Sequence, residues 1–400
     1  MTSHPLLGPP EPWAPSQIPP ARSGPPYLMT EMIEAEPGLA ARLLARLARP
    51  GPAFRLAAAV RDAALSLEPI VVTGCGTSEH AAQAVAAILR DALGEAFLPS
   101  LGGLIEARGA LDAALEPQPS GLCLGISHEG GTAATIRALD AARRAGAATA
   151  AITVSARSPI AAPAEIVVAT EELDQSWCHT IGYLSPILAA TAVAGHLLDR
   201  EVATPAIVAA LAAGLDRAVE AEAMAAALAE RAHLLIVAGG VDVPTARELA
   251  LKIEEGSCLP AVHRDLEMLL HGHLAATDET TGLVLVLTDR RGLGERIGRA
   301  RDVLEAARRI GIRAAAILTE EASARLPASL TPAGRISLAE PDGLARAAAS
   351  LLAAAIPIQL LAERLARARG RNPDLIRRDE ERYRAAAEAA EASLGPQPDG

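Results

Sequence analysis

Aromatic side chains are scarce: two Phe, three Tyr and two Trp make up 2% of the 400 residues. So few rings offer little for base stacking, and a net charge of -11 with a pI near 5.4 lacks the basic footprint of nucleic-acid binding. Nucleic acid is not an expected partner. The four cysteines, Cys75, Cys123, Cys178 and Cys258, are dispersed with no CxxC pair, which argues against a disulfide framework or zinc knuckle and suits a reducing cytoplasm. The N-terminus has no basic start followed by an apolar stretch, so no signal peptide is expected. No apolar run reads as long and clean enough to span a bilayer, so a cytoplasmic protein without a membrane partner is expected. Lysine is almost absent: of 37 basic residues, Lys252 alone is not arginine. One surviving ammonium marks either an ordinary surface position or a place where a compact, tunable charge is needed.

What is present is aliphatic. Half the chain is hydrophobic, mostly Ala, Leu, Val and Ile, a composition suited to helices packed on a sheet, and the length suits two domains with extensions. Residues 1–52 read as a Pro-rich arm and a lead-in helix, with Met29, Met32, Ile33, Leu39, Leu43 and Leu47 at helical spacing and an interruption at Pro37. Apolar runs at 70–73, 122–126, 149–154 and 166–169 then alternate with helix-like stretches, which predicts a parallel sheet in a unit spanning 53–202. An Ala-rich helix over 203–230 links it to a second unit at 231–356, where runs at 234–238, 283–288, 314–318 and 336–338 repeat the order. Residues 357–400 read as a helical tail broken by Gly370 and Pro373. The fold class is α/β: two tandem parallel sheets, each flanked by helices in three layers, with a helical arm and tail.

The first strand of the first unit runs into Gly74-Cys75-Gly76-Thr77-Ser78 ahead of a helix, where backbone N–H groups and the hydroxyls of Thr77 and Ser78 can converge on an anion. The next unit-one strand repeats the device in Ser127-His128-Glu129-Gly130-Gly131-Thr132. Either turn alone is weak; two at neighbouring strand ends make a ligand crevice. A dinucleotide fingerprint is set aside because its third glycine is replaced by Glu79 and no acidic residue follows at the required distance.

These turns, together with the helix Glu248-Leu-Ala-Leu-Lys252-Ile-Glu-Glu255 and the later His271-Gly272, resemble the tandem sugar isomerase (SIS) domain family, notably the isomerase half of glucosamine-6-phosphate synthase and its amino-sugar-phosphate deaminating relatives. The resemblance implies two tandem SIS domains and a sugar phosphate bound by Cys75, Gly76, Thr77, Ser78, Ser127, His128, Gly130 and Thr132. It makes Glu255 the base that moves a proton between C1 and C2, puts Lys252 one turn away to steady charge, and gives ring opening to His271, supplied across a homodimer interface. Glu172, Asp174, Ser176 and Thr180 match the substrate loop of the deaminating relatives, and Arg377 matches a tail arginine. Trp177 beside them either lines a sugar or packs in the core. Two departures stand out: Glu129 replaces the second serine of the phosphate turn, and Glu381 stands where the synthases carry a tail lysine.

A carboxylate facing phosphate is electrostatically unfavourable, so Glu129 turns away, binds a hydroxyl or cationic group, or meets a ligand without phosphate. Zinc at His271, His273 and His263 lacks further ligands in the sequence, and neither metal nor cofactor is expected. The expected function is an aldose-ketose isomerase or amino-sugar-phosphate deaminase; a phosphosugar sensor without turnover is the alternative.

Overall fold

The computed structural model describes residues 4–202, 204–341 and 343–392. Its strands are β1 (Ile70–Gly74), β2 (Ile105–Gly109), β3 (Leu122–Ile126), β4 (Ala148–Thr153), β5 (Ile166–Ala169), β6 (His233–Ala238), β7 (Ala261–Asp265), β8 (Thr281–Leu287), β9 (Arg313–Thr319) and β10 (Arg335–Leu338). All pairings are parallel, in the order β2-β1-β3-β4-β5 and, for the second sheet, β7-β6-β8-β9-β10. The second order is the first, repeated. Central strands such as β1 and β8 are buried throughout, as their continuous apolar runs require when helices cover both faces.

The edge strands β2 and β7 escape the sequence pattern. Each buries only its first residue, Ile105 or Ala261, and continues with exposed or half-buried residues, charged ones among them, so no apolar run announces it. The helix Leu28–Leu47 also departs from expectation, since it continues through Pro37 without a break. Its neighbours hold it: Met29, Met32, Ile33, Leu39, Leu43 and Leu44 are buried, and this packing offsets the one backbone bond a proline removes. Residues 203–230 hold two helices, Thr204–Leu215 and Ala218–Leu228, rather than one.

One apolar core joins the units. It runs from Ile70 and Val72 of the first sheet, through the helices Thr77–Ala96, Ile181–Leu197, Val243–Ser257 and Arg346–Ala368, to Ile236 and Val284 of the second. The opposite faces of the sheets carry separate clusters. Ile181–Leu197 is apolar on every side and almost wholly buried, as a helix inside such a layer must be. Arg346–Ala368 corrects the reading that no apolar run is long enough to cross a bilayer: by length and composition it is, but it packs against the helices at 204–215, 218–228 and 243–257.

Sequence-distant ends are tied by one carboxylate. Buried Asp374, in the turn Pro373–Leu375, accepts the N–H groups of Leu28 (2.9 Å) and Met29 (2.8 Å), capping the first helix from the far end of the chain. Asp374→Ala should strand both amides and lower the unfolding free energy by about 2 to 4 kcal/mol, read from urea denaturation.

Candidate functional site

The first turn is forced by packing. A Cβ on Gly74 would stand 2.5 Å from the Ser78 carbonyl oxygen, and Gly76 takes a positive φ of 57°, so the chain needs glycine at 74 and favours it at 76 to enter the helix at Thr77. Among the described residues the Thr77 and Ser78 hydroxyls have no hydrogen-bond partner in the protein, and they sit beside the helix N-terminus. Cys75 lies against Thr135 Oγ1 at 3.7 Å, its thiol pushed up by burial.

The second turn is more occupied. Ser127 Oγ donates to Thr132 Oγ1 (3.2 Å) and accepts from Gly130 N (3.2 Å). His128 is buried and accepts the Asp174 N–H at Nε2 (2.9 Å), which leaves its proton on Nδ1. Burial pushes the His128 pKa down to about 4, and burial likewise holds the neighbouring His179 well below its ordinary value. Glu129 does not point to open solvent: its carboxylate accepts Ser16 N (3.1 Å) and Ser16 Oγ (2.5 Å) from the N-terminal arm.

The loop after β5 meets this turn. Asp174 accepts the N–H groups of Thr180 (2.6 Å), Ser176 (3.2 Å) and Gly182 (3.3 Å) and so caps the helix Ile181–Leu197; burial raises its pKa to about 7 against those bonds. Glu172 is bound bidentately by Arg42 (2.7 Å each) and by Leu6 N (3.0 Å). Both residues were expected to touch substrate, yet both are engaged within the protein. Ser176 is fully buried, with its hydroxyl unpartnered.

Beneath the loop lies a chain of charges. His80 Nδ1, from the helix after the first turn, donates to Glu248 Oε2 at 2.8 Å; Glu248 Oε1 lies 3.7 Å from Lys252 Nζ, and Lys252 pairs with Glu255. Lys252 is 1% exposed. Burial works against its charge, but the carboxylates of Glu255 and Glu248 outweigh it and hold its pKa above the ordinary lysine value. Burial raises the Glu255 carboxyl against the pull of Lys252, although a quarter of that side chain reaches solvent. Cys178 Sγ lies 3.8 Å from the Lys252 carbonyl, which brings the loop onto this helix. His80 and Cys178 were missed by sequence reading: His80 is marked only by lying three residues beyond Thr77 on the same helix, and Cys178 carries no signal at all.

His271 does not join this group. It is exposed on the second unit, its Nε2 2.8 Å from Glu267, which also takes Arg299. Arg377 is bound to Glu380 (2.7 and 2.9 Å) and stacked on Tyr383 (3.8 Å). In the second sheet the turns after β6 and β8 are closed on each other. Asp242 takes the N–H groups of Thr288 (2.7 Å) and Asp289 (2.9 Å), and Asp289 takes that of Val241 (3.2 Å), so carboxylates of the protein fill the amide-rich crevice. A cavity of about 1030 Å³ beside it is lined by Arg247, Arg296 and Arg346, each already paired with an acid. Among the described residues no group of three or more His, Cys, Asp or Glu side chains is placed to hold a metal.

Residues 68–197 match the SIS domain family model. The first unit is a SIS domain. By fold the likeness extends over both units. The C-terminal domain of glucosamine-fructose-6-phosphate aminotransferase from Francisella tularensis superposes with a TM-score of 0.75 at 18% identity, covering 89% of this chain and 99% of that one. Tagatose-6-phosphate ketose/aldose isomerase from Escherichia coli gives 0.68 at 17%, covering 90% and 98%. Glucosamine-6-phosphate deaminase from Thermotoga maritima gives 0.58 at 16%, covering 84% and 96%. At such identities the shared property is the fold. No curated protein matches the chain by sequence.

His128, buried in the SIS unit, carries a pH consequence. The folded pKa of His128, about 4, lies below the ordinary value, so the unfolded chain binds its proton first on acidification. Its stabilising contribution is complete above the unfolded pKa and is lost as pH falls towards 4, by up to about 3 kcal/mol. Urea denaturation at pH 7 and pH 4.5 should show the decline, and His128→Gln should reduce it.

Proposed function

We propose that the chain binds a phosphorylated sugar and acts as an aldose-ketose isomerase or amino-sugar-phosphate deaminase. The observation that carries this is the chain's single lysine, buried between Glu248 and Glu255, with Glu255 partly open to solvent beneath the loop that borders the second turn. A carboxylate so placed accepts a proton from a sugar carbon when its pKa approaches the working range, and burial moves Glu255 that way. Lys252, as a fixed cation, offsets the negative charge that develops on an enediolate.

In this reading Cys75, Gly76, Thr77 and Ser78, with Ser127, Gly130 and Thr132, bind the phosphate through hydroxyls and amides. Glu255 carries the proton between C1 and C2. His128, with Glu172 and Asp174, supports the loop from within, since their polar side-chain atoms bond other parts of the chain, and Ser176 is buried in that loop. His271, exposed and bound to Glu267 in its own chain, serves the ring oxygen of a second copy in a homodimer. Four unpaired cysteines accord with a cytoplasmic setting. One observation favours the sensor without turnover: the tail brings Arg377 to Glu380 rather than towards a ligand.

Glu255→Gln keeps the shape and removes the base. Turnover should fall by about a hundredfold or more while sugar-phosphate affinity stays within about threefold. Solvent deuterium should cease to enter C1 or C2; unchanged turnover and exchange would make the sensor the better account. Light scattering tests the shared site, for which a dimer at micromolar concentration is the expected result and a fully active monomer the refuting one.

A further inference from the structure

The Pro-rich arm crosses the second turn of the SIS unit. Besides the two bonds from Ser16 to the Glu129 carboxylate, Trp13 Nε1 donates to the Glu129 carbonyl at 3.0 Å, and Trp177 Nε1 donates to Ser16 Oγ at 3.2 Å. The Trp13 ring lies so close to Gly131 that a Cβ there would stand 3.0 Å away. Nearer the start, Leu6 N reaches Glu172, Leu173 N donates to the Leu7 carbonyl (2.9 Å), and Glu11 pairs with Arg157. The arm therefore covers both the turn and the loop after β5. Away from these bonds it is largely open to water, with Leu7 69% and Ile18 46% exposed. A segment that buries so little and is held by a few polar latches opens at low free-energy cost.

The latch closes on the turn to which the resemblance assigns the phosphate. Glu129 holds the position at which the resemblance expects a serine hydroxyl, and its charge is answered by the arm, since His179, 3.9 Å away, is kept neutral by burial. A phosphate dianion beside that carboxylate would meet a like charge in a partly enclosed site. The first-turn hydroxyls meanwhile have no partner among the described residues. We propose that residues 11–16 form a strap that occupies the second turn in place of the ligand's phosphate, and that a phosphosugar enters by displacing the strap. Glu129 then swings out with Ser16 and leaves Ser127, Gly130 and Thr132 to the anion. This mechanism rests on the phosphosugar reading above.

Both tryptophans of the chain sit at the latch, so intrinsic fluorescence of the full-length protein reports on it. Glucosamine 6-phosphate titrated into wild-type protein should shift the emission to longer wavelength as Trp13 enters water, with the midpoint that calorimetry gives for binding. Ser16→Pro removes the latch N–H and hydroxyl while leaving the Glu129 charge. It should show the shifted emission without ligand and bind glucosamine 6-phosphate about fivefold tighter or more, and Glu129→Ser should bind tighter still. If wild-type protein binds with no change in emission and both variants keep wild-type affinity, the strap is refuted and the phosphosugar reading stands. If neither wild type nor Glu129→Ser binds glucosamine 6-phosphate or fructose 6-phosphate, the phosphosugar reading fails and the strap fails with it.

Discussion

A lysine with 1% of its surface exposed must be neutralised where it sits, and much of this structure is arranged around doing so. Glu248 and Glu255 flank Lys252 one turn away on each side of the same helix, and His80 hydrogen-bonds Glu248 Oε2 from the SIS unit. The charge chain thereby links the helix after the first turn to the first helix of the second unit. It also fixes where Glu255 emerges, because that carboxylate is bound to a cation that has nowhere else to go. Arg247 with Glu79 adds an ion pair between the same two helices.

The apolar layer around this chain explains why the two units differ although their sheets repeat. Each sheet lays one face on shared helices, so neither half has a complete core without the other. With that constraint met on the inner faces, the crevices at the strand ends were free to diverge. The SIS unit keeps glycines and hydroxyls there. The second unit fills the corresponding amides with Asp242 and Asp289, and Arg346 holds Asp289 and Asp91 together across the boundary. The same physics that makes a strand-end crevice an anion site lets a neighbouring carboxylate close it.

Much of the fold could be read from residue order. Central strands such as 122–126 and 283–287 are apolar without alternation because helices cover both faces, and their spacing exposed the duplication. The charged edges β2 and β7 could not be seen, since a strand with one buried residue looks like a loop. The two turns of the SIS unit were visible because glycine and hydroxyl residues there answer local demands, such as the 2.5 Å approach of Ser78 to Gly74. The roles of Glu172 and Asp174 were not visible: one is taken by Arg42, 130 residues away, and the other caps a helix that begins seven residues later.

What the sequence determined by itself was periodicity, turn chemistry and the singularity of Lys252, because these depend on neighbours within a few residues. The tertiary structure decided the rest: that this lysine is buried, that Asp374 caps a helix from the opposite end of the chain, and that Ser16 meets Glu129. Those pairings join positions more than a hundred residues apart or depend on burial, and no local pattern records them. An exposed arm leaves even less trace, since a few hydrogen bonds hold it and no apolar stripe gives its path away.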